Sequence, residues 1–186
     1  MKLRLPPWAI LLSICIVVGG VLGVVNDLTA GPIAQQAVEA ANAARRSCFP
    51  DAEAFEQMDL AADSGVDSCY MAMKEGQLAG YVAQVTVTGF GGPIEIYVGM
   101  DLEQTITGVS VGGSKFAETP GLGAKAQEPE FTDQFAGLTI PTQLGNGLDA
   151  ITGATVTSKA IARSVNSAVA VVTGADAASA ATSWGG

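Results

Sequence analysis

The sequence predicts an α+β domain carried on a single membrane-spanning helix. Three patterns carry that expectation. Residues 8–25 hold no charge and are mostly apolar. Residues 68–111 alternate apolar and polar side chains with period two. Residues 161–172 repeat apolar side chains at helical spacing. One span, then an antiparallel sheet with helices around it, accounts for all three.

The first element is WAILLSICIVVGGVLGVV, Trp8 to Val25. At 1.5 Å per residue it reaches ~27 Å, close to the ~30 Å hydrocarbon core of a bilayer. Lys2 and Arg4 precede it, and the first charge after it is Asp27. That asymmetry keeps the N-terminus cytoplasmic and puts the bulk of the chain on the periplasmic side of the inner membrane. Trp8 suits the membrane interface, and lipid is the expected neighbour of the span. A cleaved signal peptide shares these flanks, but Leu28-Thr29-Ala30 is a poor match to its small-residue exit. A buried core helix is the third reading. Residues 1–27 are taken as the cytoplasmic N-terminus and transmembrane helix.

Composition narrows the chemistry. The net charge is −9, which repels phosphate backbones and argues against nucleic acid as a partner. The chain contains no histidine, so histidine-based acid–base work, a Ser-His-Asp triad and histidine-ligated haem are excluded within it. Cys15, Cys48 and Cys69 are scattered without a CxxC pair, and no metal site is expected. Beyond the membrane, Cys48 and Cys69 would meet an oxidising compartment. A disulfide between them would contribute ~3 kcal/mol, and two unrelated thiols are the equal alternative.

Residues 28–67 are expected to form a helical stalk and linker. LTAGPIAQQAVEAANAARR is alanine-rich and ends in Arg45 and Arg46, where the helix dipole favours cations. A kink or break is expected at Gly31-Pro32. A second short helix is expected from Phe49 to Met58, with Ala54, Phe55 and Met58 inward. Residues 68–174 form the domain. Tyr81–Val87, Ile94–Val98 and Thr105–Val111 read as strands, with Glu75-Gly76 and Gly89–Pro93 as turns. Four to five antiparallel strands result, with Tyr81 and Phe90 in the core. SKFAETPGLGAKAQEPEF, residues 114–131, is a loop, followed by a helical turn at Phe131–Phe135. Residues 137–147 are irregular or an edge strand. Ile161, Val165, Ala168, Val169 and Val172 then mark an amphipathic helix ended by Gly174. Residues 175–186 form a low-complexity, flexible tail.

The stretch DAITGATVTSKA, residues 149–160, opens that last helix. Thr157 or Ser158 is placed to cap it. Gly153 permits a positive φ or a close approach. A helix N-terminus attracts phosphate, so Thr155 stands beside a natural phosphate site. Spacing alone favours a plain turn and cap. There is no G-x-G-x-x-G and no P-loop lysine.

Asp149-Ala150-Ile151-Thr152-Gly153-Ala154-Thr155 resembles the D-x-x-[ST]-G-A-T signature of the covalent FMN-binding domain family. Glu118-Thr119-Pro120-Gly121-Leu122-Gly123 is similar to the E-T-P-G-L-G loop of the same family. The order of the two motifs, the single span and the chain length resemble the G subunits of Rnf electron-transport complexes. One departure is Phe116-Ala117 before the acid, where many relatives carry histidine. The resemblance implies FMN joined through its phosphate to Thr155 by a flavin transferase. That enzyme would read Asp149, Thr152, Gly153 and Ala154. Thr157 and Ser158, with backbone N–H groups, would hold the phosphate. Glu118, Thr119, Leu122 and Gly123 would lie against the isoalloxazine.

The function so implied is electron transfer within a membrane-bound, ion-translocating ferredoxin:NAD+ oxidoreductase. The chain would be a redox subunit without a complete active site of its own, partnered by the complex's other membrane and redox subunits. The C subunit of a sodium-translocating NADH:quinone oxidoreductase shares the attachment motif. A cofactor-free membrane-anchored assembly module and a free exported flavoprotein are the remaining alternatives.

Overall fold

The computed structural model describes residues 6–60 and 64–174, so the expectation for the tail lies outside the described residues. The chain divides into two compact units, Met1–Ala41 and Asn42–Gly186. From Pro7 onward the first unit belongs to a single helix, α1 (Pro7–Cys48), long and apolar enough to cross a membrane. Its apolar side chains are exposed, with none of the apolar window buried, which is contrary to a core helix. Pro32 sits inside α1, and the helix continues through it, so the expected interruption at Gly31-Pro32 does not occur. The Pro32 ring removes one N–H, but the alanine-rich turns beyond it have the highest helix propensity and restore the ladder.

The second unit is built on a five-stranded antiparallel meander. Its strands are β1 (Ala54–Met58), β2 (Ser68–Lys74), β3 (Gln77–Thr88), β4 (Pro93–Asp101) and β5 (Ile106–Gly112), in that spatial order. β1 replaces the short helix expected from Phe49 to Met58. Only its pairing with β2, Ala54 opposite Met73 through Met58 opposite Cys69, holds those residues extended. Glu75 and Gly76 both take positive φ, 53° and 73°, the conformation of a tight hairpin turn whose twist matches the strands.

The pleat divides the sheet into two faces. Ala83, Val85, Ile94, Ile96, Val98 and Met100 share one, and α3 (Thr155–Thr173) covers it with Ile161, Ala162, Val165, Ala168 and Val169. The predicted stripe is therefore the buried stripe, and Gly174 closes the helix at φ 70°. Complete burial of each branched side chain contributes about 1.5–3 kcal/mol. Tyr81 packs half-buried against this core, as expected.

The other face receives the end of α1. Gly99 and Gly108 lie beneath Cys48, and Gly80 lies beneath Phe49. Thr107 Oγ1 donates to the Cys48 carbonyl at 2.6 Å, and the Cys48 thiol donates to the Tyr97 carbonyl at 3.2 Å. The Arg45 guanidinium stacks 3.8 Å over the Tyr70 ring.

This layering corrects the possible Cys48–Cys69 disulfide. Cys69 pairs with Ala83 and so belongs to the α3 face, whereas Cys48 lies on the opposite face. Both thiols are free and buried. Burial pushes Cys48 up to about 12 and Cys69 up to about 11, so both remain protonated.

Residues 113–154 wrap the edge of the sheet. After the loop come a 3-10 turn (Gly123–Gln127), α2 (Pro129–Thr132) and a second 3-10 turn (Asp133–Phe135). Phe131 and Phe135 meet edge to face at 5.5 Å in the core. The following stretch is irregular, with Gly137 and Leu138 bonding Ile106 and a two-residue ladder joining Gln143–Leu144 to Gly147–Leu148. Asn166 on α3 fixes it. The Asn166 side chain accepts from the Thr142 amide and hydroxyl at 2.8 and 2.9 Å, and donates to the Thr142 carbonyl at 3.0 Å.

Candidate functional site

The helix α3 starts at Thr155, one turn earlier than a cap at Thr157 or Ser158 would place it. Ala154 is the N-cap residue and supplies no side-chain bond. The first amide bonded within the helix is that of Ser158, to the Ala154 carbonyl at 3.0 Å. The N–H groups of Thr155, Val156 and Thr157 precede it and have no helical acceptor. They surround an exposed Thr155 side chain at the positive end of a 19-residue helix.

The hydroxyls of Thr157 and Ser158 are consumed elsewhere, which corrects their expected role as phosphate holders. Ser158 Oγ donates to the Ala154 carbonyl and accepts from the Ile151 amide, both at 3.0 Å. Thr157 Oγ1 donates to Glu118 Oε2 at 2.9 Å. Both residues are buried, so any phosphate contact from this turn falls to backbone N–H groups.

Glu118 is only 6% exposed, contrary to a solvated loop acid. Its second oxygen, Oε1, accepts from the Gly91 amide at 2.8 Å. A Cβ at Gly89 or Gly123 would overlap this carboxylate, so both glycines are required to make room for it. The acid thus points inward beneath the site rather than outward onto a ligand.

What faces outward is apolar. Leu122 is 43% exposed and Val156 60%. Leu122 Cδ2 approaches the backbone of Gly153, where a Cβ would stand 2.9 Å from it and φ is +80°. Phe90, expected in the core, is instead 77% exposed at the β3–β4 tip. The run Gly89-Phe90-Gly91-Gly92 forms that turn, closed by Gly89 N–H to Gly92 C=O at 2.8 Å, and a turn's outer residue cannot be buried by its own sheet. Sequence reasoning missed Phe90; the glycines on both sides were the available signal.

The loop ahead of α3 is exposed at Asp149, Ala150, Thr152 and Gly153. It is nevertheless ordered from both ends. The Asp149 amide donates to Gln134 Oε1 at 2.7 Å, and the Ala154 amide to the Ile151 carbonyl at 2.9 Å. Thr119 is exposed beside it, and Gly123 is buried against Glu118.

These features fit a phosphate-tethered flavin. An exposed hydroxyl stands among the first N–H groups of the helix, Gly153 admits close approach, and the exposed Leu122 and Val156 flank this turn. The fold is an α+β domain following an apolar helix, with a surface site at the first turn of α3. Residues 89–170 match the model of the FMN-binding domain family. The chain is 31% identical to the G subunit of the sodium-translocating ferredoxin:NAD+ oxidoreductase complex of Acetobacterium woodii, over 87% of this chain and 88% of that protein. It is 32% identical to the proton-translocating counterpart of Clostridium ljungdahlii, over 86% of each. It is 40% identical to the G subunit of the ion-translocating oxidoreductase complex of Methanosarcina acetivorans, over 56% of this chain and 54% of that protein. The chain belongs to this family of G subunits.

Proposed function

We propose that the chain is an electron-transfer subunit of a membrane-bound, ion-translocating ferredoxin:NAD+ oxidoreductase complex, carrying FMN esterified through its phosphate to Thr155. The observation behind this reading is the solvent-facing Thr155 side chain on the first turn of α3, within the Asp149–Thr155 signature. Membership in the G-subunit family supports the complex and its other subunits as partners. Lys2 and Arg4 ahead of the apolar run favour a cytoplasmic N-terminus and a periplasmic domain at the inner membrane.

The residues divide the work. Thr155 Oγ forms the bond to phosphorus, with net loss of the elements of water. Asp149, Thr152, Gly153 and Ala154 present an exposed, braced loop to a flavin transferase. Backbone N–H groups of the first α3 turn lie beside the ester. Leu122 and Thr119 line the approach from the facing loop, and Gly123 and Glu118 shape it from below. Bound FMN would supply the one- or two-electron transfer, and the protein the binding and orientation. A covalent tether also prevents loss of the cofactor outside the cytoplasm.

Mass spectrometry of protein from its native membrane tests the reading. The tryptic peptide from Ala126 to Lys159 contains Thr155. It should carry FMN less water on Thr155, and Thr155→Ala should lose flavin and electron flow together. An unmodified peptide, from cells that flavinylate other proteins, would return the signature to a plain turn and favour an assembly role.

A further inference from the structure

Among the described residues, Glu118 is the only buried carboxylate. A buried charge persists only where donors surround it. Its donors, the Gly91 amide and the Thr157 hydroxyl, come from two different segments, and Glu118 itself belongs to a third. One carboxylate therefore joins the β3–β4 tip, the 118–123 loop and the first turn of α3. The glycines confirm that the join is tight. A Cβ at Gly91 would overlap the Ala117 carbonyl, in addition to the overlaps at Gly89 and Gly123.

Each joined segment ends in one exposed apolar side chain: Phe90 beside Gly91, Leu122 beside Gly123, and Val156 beside Thr157. Phe90 sits on a glycine-flanked tip, whose orientation relative to α3 would be loosely held without the tie. With it, Phe90 is linked to α3 through one carboxylate. A flat, largely apolar ring tethered at Thr155 requires such a fixed surface.

We propose that Glu118 is a positioning residue of the flavin site. It locks Phe90 to the first turn of α3, so that Phe90, Leu122 and Val156 form one apolar seat for the isoalloxazine. Phe90 contacts the ring, while Glu118 acts through Phe90 and Thr157 without touching it. This rests on the reading of Thr155 as the attachment point. The alternative seat is the 660 Å³ groove between α3 and β3, lined by Val87, Thr88, Lys159 and Arg163.

The test uses the full chain bearing FMN, purified from membranes, with the variants Glu118→Ala, Phe90→Ala and their double. Mass spectrometry reads the occupancy of Thr155, and iodide quenching of flavin fluorescence reads exposure of the ring. The quenching constant should rise about twofold in each single variant. The double should rise no further, because both changes remove one shared contact. Glu118→Ala should also shift the flavin midpoint potential in the same direction as Phe90→Ala. Occupied Thr155 with quenching unchanged in Phe90→Ala, or with fully additive increments, overturns the proposal and favours the groove. Phe90 is exposed at a tip, so its variant folds even if Glu118→Ala does not. Thr157→Val cuts the same tie from the helix side and should reproduce the effect. An unmodified wild-type Thr155 would instead remove the underlying flavin reading, a result read by mass alone.

Discussion

Replacing Gly123 with alanine tests whether the site is held together by a single packed carboxylate. The φ of Gly123 lies outside the left-handed region, so alanine adds no backbone strain there. Its Cβ would overlap Glu118 Oε2. Glu118 cannot swing away without breaking its bonds to Gly91 and Thr157, at 2.8 and 2.9 Å. Overpacking costs about 1–3 kcal/mol, and hydrogen bonds to a charged group are worth about 1.5–3 kcal/mol. The expected loss is about 3–5 kcal/mol, which lowers the melting temperature of a domain this size by about 10 °C. Thermal unfolding of the detergent-solubilised chain can be followed by the near-ultraviolet signal of Tyr70, Tyr81 and Tyr97, all in the sheet. The mechanism also fixes an epistasis. In Glu118→Ala the clash has no target, so adding Gly123→Ala should cost far less than in the wild type. Additivity within about 0.5 kcal/mol would refute the steric account.

Other consequences are as direct. Gly99→Ala puts a methyl group into the Cys48 carbonyl, a backbone atom that cannot rotate aside. It should destabilise the sheet by about 1–3 kcal/mol and weaken amide protection at Phe49, as hydrogen exchange would show. Asn166→Ala strips the Thr142 amide and hydroxyl of their buried acceptor, costing about 1–3 kcal/mol for each group left unpaired. Denaturant titration should show the loss, with exposure localised to residues 140–144. Burial holds Cys48 at about 12 and Cys69 at about 11, above an ordinary 9.0. The folded state therefore keeps both thiols neutral while the unfolded chain ionises them. Stability from this source is intact below pH 9 and lost progressively as pH rises toward 11 and 12. Cys48→Ala should flatten the alkaline decline, and wild-type Cys48 and Cys69 should resist alkylation at neutral pH until the chain is denatured.

The elements that were legible in the sequence are those decided locally. Period-two alternation located β3 to β5, and Glu75-Gly76 marked a turn that takes two positive φ values. The apolar spacing from Ile161 to Val169 named the buried face of α3. The elements that were not legible depend on distant partners. Ala54–Met58 has the composition of a helix, and only the facing edge of β2 makes it a strand. Cys48 and Cys69 look bridgeable along the chain, but the pleat assigns them to opposite faces. Phe90 reads as a core aromatic until the turn around it is seen.

The cluster of hydroxyls at residues 152–158 shows the same division most sharply. By residue type, Thr152, Thr155, Thr157 and Ser158 are near equivalents, and any could cap a helix or carry a phosphate. The fold makes them unequal. Ser158 turns inward to brace Ile151, and Thr157 is claimed by Glu118, an acid 39 positions earlier. Thr152 lies before the helix, outside its first turn. Thr155 alone combines an exposed side chain with a place among the first N–H groups of α3. Under the proposed attachment, selection of Thr155 among several hydroxyls therefore requires no special reactivity in that residue. It follows from internal bonds that occupy Thr157 and Ser158 and from the place of Thr152 ahead of the helix, and Glu118→Ala or Gly123→Ala, by freeing Thr157, should be the changes that blur it.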